Sequence, residues 1–382
     1  MRKSAIIAFL SLGMVSLFAD ICYEGMRSVI GSYMEFLGFS VIFTGLVGAA
    51  EFVGYLARVG SGLLATVLKS SKVYWGLIFV GYLTNFAVPA LALVNRWDLI
   101  MLLILVERFG KGLRSPVRDV VLAEVTEGVG KGKGFGIHEF LDQLGAFAGP
   151  LFVAWALLST NSYSYAYSML AIPVLVSLVF LTLAFVSYPQ IRSVNKAAVR
   201  GNVPRNLMLY MFASSLIFLG FIHWSIISYH FRASNALLDY QIALAYSIAM
   251  VVDAAVAIPI GVFYDKVGLK SLLPTPLAIM LLVIALTFST PLTFIFTAIL
   301  WGFAMSIYET VMRAALADLV EPSSRALAYS IFNVATGISW MLGSIVVAYL
   351  YSISWHLLLG FVFIAEGASL ILLIQLIKSS GR

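Results

Sequence analysis

Asp20, Glu24 and Arg27 stand four and three residues apart, a spacing that puts all three on one face of a helix. Glu51, Tyr55 and Arg58 repeat the pattern, as do Glu107, Lys111, Arg114 and Arg118, with Arg108 beside them. His138, Glu139 and Asp142 form a fourth group. Such gatherings of acids and cations suit three kinds of chemistry. A carboxyl whose surroundings alternate between wet and dry takes up and releases protons, because burial disfavours its charged form and a nearby cation favours it. Arginine and lysine recognise anionic groups through charge-assisted hydrogen bonds. Several carboxylates together offer hard oxygen ligands to a divalent cation.

The elements that must position these charges are built for lipid. Of 382 residues, 61% are hydrophobic and 11% charged, against about 25% charged in soluble domains, which excludes a water-soluble globule. Windows of about 20 apolar residues, each enough to cross a bilayer as a helix, recur along the chain. Twelve are expected, at 5–36, 41–66, 73–94, 98–121, 134–158, 165–187, 206–231, 240–264, 271–290, 292–318, 325–351 and 354–378. A charge at the bilayer centre costs at least about 2.5–3.5 kcal/mol, so the charged stripes must face other helices or water. In the fourth window the run LILVERFGKGLRSPVRDV (103–120) passes from apolar residues straight into four cations. Gly110, Gly112 and Pro116 loosen the helix there, since proline removes a backbone hydrogen bond. The freed carbonyls need protein or water as partners.

The polar, basic connector at 188–206 falls at the middle of the chain and separates six windows from six. The expected organisation is an N-terminal bundle (1–189), a cytosolic linker (190–205) and a C-terminal bundle (206–382). The net charge of +6 is not a nucleic-acid footprint. With the N-terminus inside, fifteen lysines and arginines fall in inner loops and tails, against Arg96 and Arg232 in outer loops. This positive-inside pattern places both termini in the cytosol and the protein in a cell (inner or plasma) membrane. The first apolar stretch is too long for a cleavable signal and carries Asp20. Cys22 is the one cysteine, so disulfides and cysteine-based metal sites are excluded.

The second half echoes the first. When Gly149 is registered on Gly343, Ala123-Glu124 falls on Ala317-Asp318, and duplicated six-helix halves are a transporter architecture. Four short stretches sharpen this. GVFYDKVGLK (261–270) resembles the G-x-x-x-D-R-x-G-R-K loop of the major facilitator superfamily, with Leu269 in place of a basic residue. In GLLATVLKSSK (62–72), Thr66 stands where the family has aspartate. Arg108 and Gly112 match the family's R-x-x-x-G core, while Lys111 and Arg114 replace glutamine and glycine. GAFAGP (145–150) resembles the G-x-x-x-G-P signature of the antiporter branch, without the glycine pair that follows it there.

The resemblance implies an all-α polytopic membrane protein, with twelve transmembrane helices in two pseudo-symmetric six-helix bundles. It further implies a secondary active transporter working by alternating access, with helices 1 and 4 lining a central cavity. Proton-coupled efflux by antiport is expected, with an anionic or zwitterionic solute suggested by the cations of the fourth window. Candidate substrate and cavity residues are Asp20, Glu24, Arg27, Glu51, Arg58, Glu107, Arg108, Lys111 and Arg114. Candidates for proton coupling are Asp20, Glu24, Glu51 and Asp253, the last with no cation near it in the sequence. Arg118, Asp119, Asp142, Asp265 and Lys266 are inner-gate candidates.

Structural roles compete with these. Arg114 would pair with Asp142, and Arg118 with Asp119. The acids of the first two windows would neutralise Arg27 and Arg58, and Gly145 and Gly149 would be close-packing positions. Other functions also compete: a divalent-cation exporter of the same fold, a membrane-embedded enzyme, or a receptor that does not transport. The enzyme is disfavoured, because the chain has no H-E-x-x-H and no evident nucleophile–base pairing. GKGKGFG (130–136) lies between two membrane windows rather than after a strand. No cofactor, no metal and no nucleic acid are expected. The expected partners are a small solute or ion, protons and the lipid bilayer, and the protein is expected to be a monomer.

Overall fold

A computed structural model describes residues 3–68, 70–126, 130–191, 205–321 and 325–380. Most of the expected 190–205 linker lies outside the described residues. Among them there is no strand, and the helices follow the apolar windows. They are α1 (Lys3–Phe36), α2 (Val41–Ala65), α3 (Ser71–Leu93), α5 (Lys133–Thr160), α6 (Tyr163–Ser187), α7 (Asn206–Ala233), α8 (Asp239–Leu272), α10 (Pro291–Asp318), α11 (Ala328–Ile353) and α12 (Trp355–Ser379). These ten are long and apolar enough to cross a membrane. The other two windows are helical as well, as α4 (Trp97–Val125) and α9 (Pro274–Leu286). They differ from the ten for opposite reasons. The cations and acids of α4 dilute its hydropathy, whereas α9 is apolar but only 13 residues long, shorter than its expected 271–290 window.

Local chemistry accounts for several helix ends. Ser40 caps α2 by accepting from the Ile42 N–H, and Ser162 caps α6 by accepting from the Tyr165 N–H. Asn161 ends α5 in the left-handed region, φ 51°, which asparagine tolerates. The C-terminal half of α3 tightens into 3₁₀ turns at Thr84–Phe86 and Leu91–Leu93.

The chain forms two compact units, Met1–Val29 with Val53–Lys196, and Ile30–Phe52 with Ala197–Arg382. The segment Ile30–Phe52, which the sequence division gives to the N-terminal bundle, thus groups with the second unit. In the first unit an apolar core gathers Leu12, Val15 and Ala19 of α1, Trp75 and Ile78 of α3, Val117 and Val121 of α4, and Leu181 of α6. Two glycine crossings draw its helices together. Gly145 and Gly149 of α5 lie against the backbone of Leu17 and Ile21 in α1, and Gly112 of α4 lies against Gly54 of α2. A side chain at Gly112, Gly145 or Gly149 would collide with backbone.

The second unit repeats both crossings. Gly343 of α11 lies against Leu219 of α7, and Gly302 of α10 against Ala249 of α8. The glycines registered by sequence, Gly149 and Gly343, therefore serve the same purpose in each half. Two irregularities distinguish this unit. α7 is interrupted at 221–223, and α10 contains a π-helical turn at Ile307–Met312. The carbonyls these breaks release find partners. Trp301 Nε1 donates to Ile222 O at 3.2 Å, and Tyr210 Oη to Met312 O at 2.6 Å.

Candidate functional site

The first unit holds a buried polar cluster between α1 and α4. Its centre is Tyr23, a residue only 2% exposed. Arg108 Nη1 donates to the Tyr23 hydroxyl at 2.5 Å, and its guanidinium carbon lies 3.8 Å from the ring centre. Lys111 Nζ lies 3.7 Å from the same centre, and Arg27 reaches it at 5.8 Å. Cations within about 6 Å of an aromatic face are attracted by its quadrupole. One ring therefore gathers three of the expected cavity cations.

Acids surround this platform. Glu107 holds Arg108 at 2.6 Å, and Glu24 holds Arg27 at 3.7 Å. The charges that act on Asp20 are Asp142 of α5, Lys111, Glu24 and Arg118. Gly145 brings α5 close enough for this, since a Cβ there would lie 3.1 Å from Asp20 Cβ. Asp142 also faces His138, at 3.9 Å. Asp20, Glu24, Arg27, Glu107, Arg108, Lys111 and Asp142 are thus brought together by three helices. A buried cluster of this kind is held by mutual pairing, because isolated charges away from water are costly.

Two inner-gate candidates lie just beyond. Arg118 pairs with Asp119 at 3.0 Å, as the competing structural reading has it, and Nη1 also donates to Ser16 of α1 at 3.2 Å. α4 remains helical through Pro116. Two carbonyls in this stretch accept from hydroxyls. Ser61 of α2 donates to Leu113 O at 2.5 Å, and Ser115 to Lys111 O at 2.6 Å.

Other sequence candidates stand elsewhere. Arg114 is not paired with Asp142. It turns to α3, where Nη1 donates to Gly81 O at 2.6 Å and to Asn85 Oδ1 at 3.0 Å, over the Tyr82 ring at 4.5 Å. Arg114 is three residues beyond Lys111 on the same stripe, and the rotation of the helix carries it round to the next neighbour. Arg58 is exposed and stands 5.9 Å over its own helix's Tyr55. Glu51 is half-buried and Asp253 buried, both in the second unit. Asp265 and Lys266 are exposed, and among the described residues neither makes an ion pair. At that end of α8 the contact formed is Tyr264 Oη donating to Asp318 at 2.6 Å.

Several participants escaped the sequence reading. Tyr23 sits within the Asp20–Arg27 stripe and could have been found there as the aromatic among its charges. Asn85 lies in the tightened turn of α3. Arg232 of α7 pairs with Glu35 of α1 at 2.6 Å and also with Asp239 of α8, all in the second unit. Glu366 of α12 is fully buried.

Long apolar helices with paired charges buried among them define a multi-pass membrane protein, in a fold shared with transporters. The chain aligns with a variant of the nucleoside transporter NupG at a TM-score of 0.78 and 17% identity, covering 97% of this chain and 99% of that one. The peptide transporter POT in complex with sulfate gives 0.76 and 14%, covering 98% and 94%. An uncharacterized protein of Mycobacterium tuberculosis is 33% identical over 374 residues, 94% of this chain and 90% of its own. An uncharacterized MFS-type transporter of Methanocaldococcus jannaschii is 28% identical over 358 residues, 90% of this chain and 88% of its own. The Major Facilitator Superfamily description matches residues 206–380. The chain belongs to the major facilitator superfamily.

Proposed function

We propose that this protein is a secondary active transporter that exports a small anionic or zwitterionic solute in exchange for protons, by alternating access. In this reading all twelve helices, α4 and α9 included, span the cell membrane in two six-helix bundles, with both termini cytosolic. The observation that carries it is the Tyr23 platform. Arg108 and Lys111 share one neutral ring, and with Arg27 they face Glu107, Glu24 and Asp20, three cations against three acids. A carboxylate or phosphate of the solute exchanges with these acids for the cations, through charge-assisted hydrogen bonds. Arg27, with Glu24, borders the same surface. Arg114, facing α3, supports α4 from behind.

Proton exchange is assigned to the acids of the membrane interior, Asp20, Glu24, Glu51 and Asp253. Asp20 is the foremost, because Asp142 repels its negative charge while Lys111 and Arg118 attract it. Small movements of α5 against α4 change that balance. Export rather than uptake rests on the GAFAGP signature of α5. A divalent-cation exporter has less support, since among the described residues no three His, Cys, Asp or Glu side chains are grouped to hold a metal.

The test is reconstitution into liposomes. A thermal-shift screen of anions, zwitterions and cations at two pH values finds ligands that bind the folded state. Flux of those ligands is then followed under an imposed pH gradient. The expected result is accumulation against the solute gradient, abolished when the pH gradient is collapsed. Amide substitutions of Asp20, Glu24, Glu51 and Asp253 separate coupling from binding: a proton carrier loses pH-driven accumulation but keeps solute exchange. If all four amide variants keep full pH-driven accumulation, the coupling assignment is wrong. Flux that ignores the pH gradient overturns proton exchange altogether.

A further inference from the structure

Glu366 is the one acid of α12, and its side chain is 0% exposed. Neither carboxyl oxygen has a hydrogen-bond partner, and among the described residues no cation pairs with it. Beside it stands Gly220, the last helical residue before α7 breaks. A Cβ on Gly220 would lie 2.5 Å from Glu366 Oε1. The carboxyl therefore occupies the space that only a glycine leaves, against the end of a helix whose last carbonyls have no intrahelical donor.

The elements packed on α12 bring no charge to it. α9 has no titratable residue. On α7, Tyr210 is committed to Met312 O, His223 Nδ1 to Ser225 Oγ, His230 to Tyr351 and Leu286 O, and Arg232 to Glu35 and Asp239. Tyr229 donates to Phe39 O. α11 carries only tyrosines, of which Tyr329 donates to Arg313 O. Lys270 is exposed on the turn after α8, and His356 and Lys378 stand at the two ends of α12 itself. An ionised carboxylate buried without partner or counter-charge is strongly disfavoured, and such a group neutralises instead.

We propose that Glu366 is a proton-binding site of the second unit, loaded when α12 is packed on the break in α7 and emptied when that break admits water. Discontinuous membrane helices build ion sites at their broken ends, and here the carboxyl lies at such an end. Its partner in the loaded state is chemically a backbone carbonyl of the turn that ends at Gly220, to which the acid's O–H donates. The site stands apart from the four acids assigned above and does not depend on the solute or on the direction of transport.

The hydrophobic reagent dicyclohexylcarbodiimide, which reacts with protonated carboxyls in apolar surroundings, tests this on the purified full chain in liposomes. An adduct on the peptide containing Glu366 is expected at mildly acidic pH, with progressive loss as pH rises and complete loss in Glu366→Gln. Infrared difference spectra over the same pH series, taken against Glu366→Gln to remove the bands of the other membrane acids, give a second readout. They should show a protonated-carboxyl band that disappears on alkalinisation. Gly220→Ala, which pushes the carboxyl away from the break, should shift the midpoint of that loss. Absence of both adduct and band at every pH overturns the proposal. A band that persists unchanged through alkaline pH also overturns it, since it marks a permanently neutral acid.

Discussion

Lys111 Nζ and the Arg108 guanidinium carbon lie 3.7 Å and 3.8 Å from the centre of the same Tyr23 ring. Two cations from adjacent turns of α4 are thus held by one uncharged side chain of α1. An aromatic face attracts each of them without supplying a full counter-charge. In the proposed function, this shared ring is what presents the two cations together to a solute anion.

Tyr23→Phe keeps the ring and removes only the hydroxyl that accepts from Arg108. A hydrogen bond to a charged group contributes about 1.5–3 kcal/mol, so a loss of that order in stability is expected, with transport retained. Tyr23→Leu removes the ring and should abolish transport as well. Thermal unfolding in detergent and counterflow in liposomes measure the two effects. If the leucine variant transports as well as the phenylalanine variant, the ring has no part in recognition.

Arg114→Ala should act on folding first. It leaves Asn85 Oδ1 buried without its donor, while Gly81 O keeps the Thr84 hydroxyl, and an orphaned polar group costs about 1–3 kcal/mol. Lysine should not fully rescue it, because an ammonium cannot lie flat over the Tyr82 ring as the guanidinium does while Nη1 serves both acceptors. The unfolding midpoint of the two variants decides this. A variant with unchanged stability and lost transport would move Arg114 into the recognition surface.

The paired glycine crossings give an internally controlled comparison. Gly149→Ala and Gly343→Ala each press a methyl group into the backbone of the neighbouring helix, and overpacking costs about 1–3 kcal/mol. Gly360 of α12 has open space around it, so Gly360→Ala should be neutral or gain up to about 1 kcal/mol from helix propensity. Melting temperatures should fall in the first two variants only. Equal behaviour of all three would remove the crossings from the account of the fold.

Arg232 ties the end of α1 to α7 and α8 through Glu35 and Asp239. All three side chains are about a quarter exposed, so the pairs are screened and Arg232→Gln should cost only about 0.5–1 kcal/mol. The local effect should be larger. Amide exchange over 30–36 should quicken in the variant, while 10–20 is unchanged. No difference at 30–36 would show that packing alone holds that end.

Helix faces were legible in the sequence, but helix neighbours were not. The four-and-three spacing correctly put Asp20, Glu24 and Arg27 on one side of α1, and the registered glycines Gly149 and Gly343 proved to be matching crossings. Spacing along one helix carries no information on which partner each part of a face meets. That is why Arg114 was grouped with Lys111 although α3 receives it. Arg58 was grouped with Glu51 on the same ground, yet it is exposed while Glu51 belongs to the other unit. Glu366 was passed over because a solitary acid in an apolar helix has no periodic companion to mark it. Only the break in α7, itself unannounced by proline, gives it meaning.

The grouping of Ile30–Phe52 with residues after 197 bears on how the protein is made. A ribosome releases the hairpin of α1 and α2 early, yet the partners of its tip, Ser225 for Thr44 and Arg232 for Glu35, are encoded far downstream. Until α7 is synthesised that tip lacks these partners, and it is expected to stay unpacked in the nascent chain. The nascent N-terminal half is then a waiting intermediate rather than a finished domain. Expression of that half alone should leave its first hairpin open to proteases that spare it in the full chain.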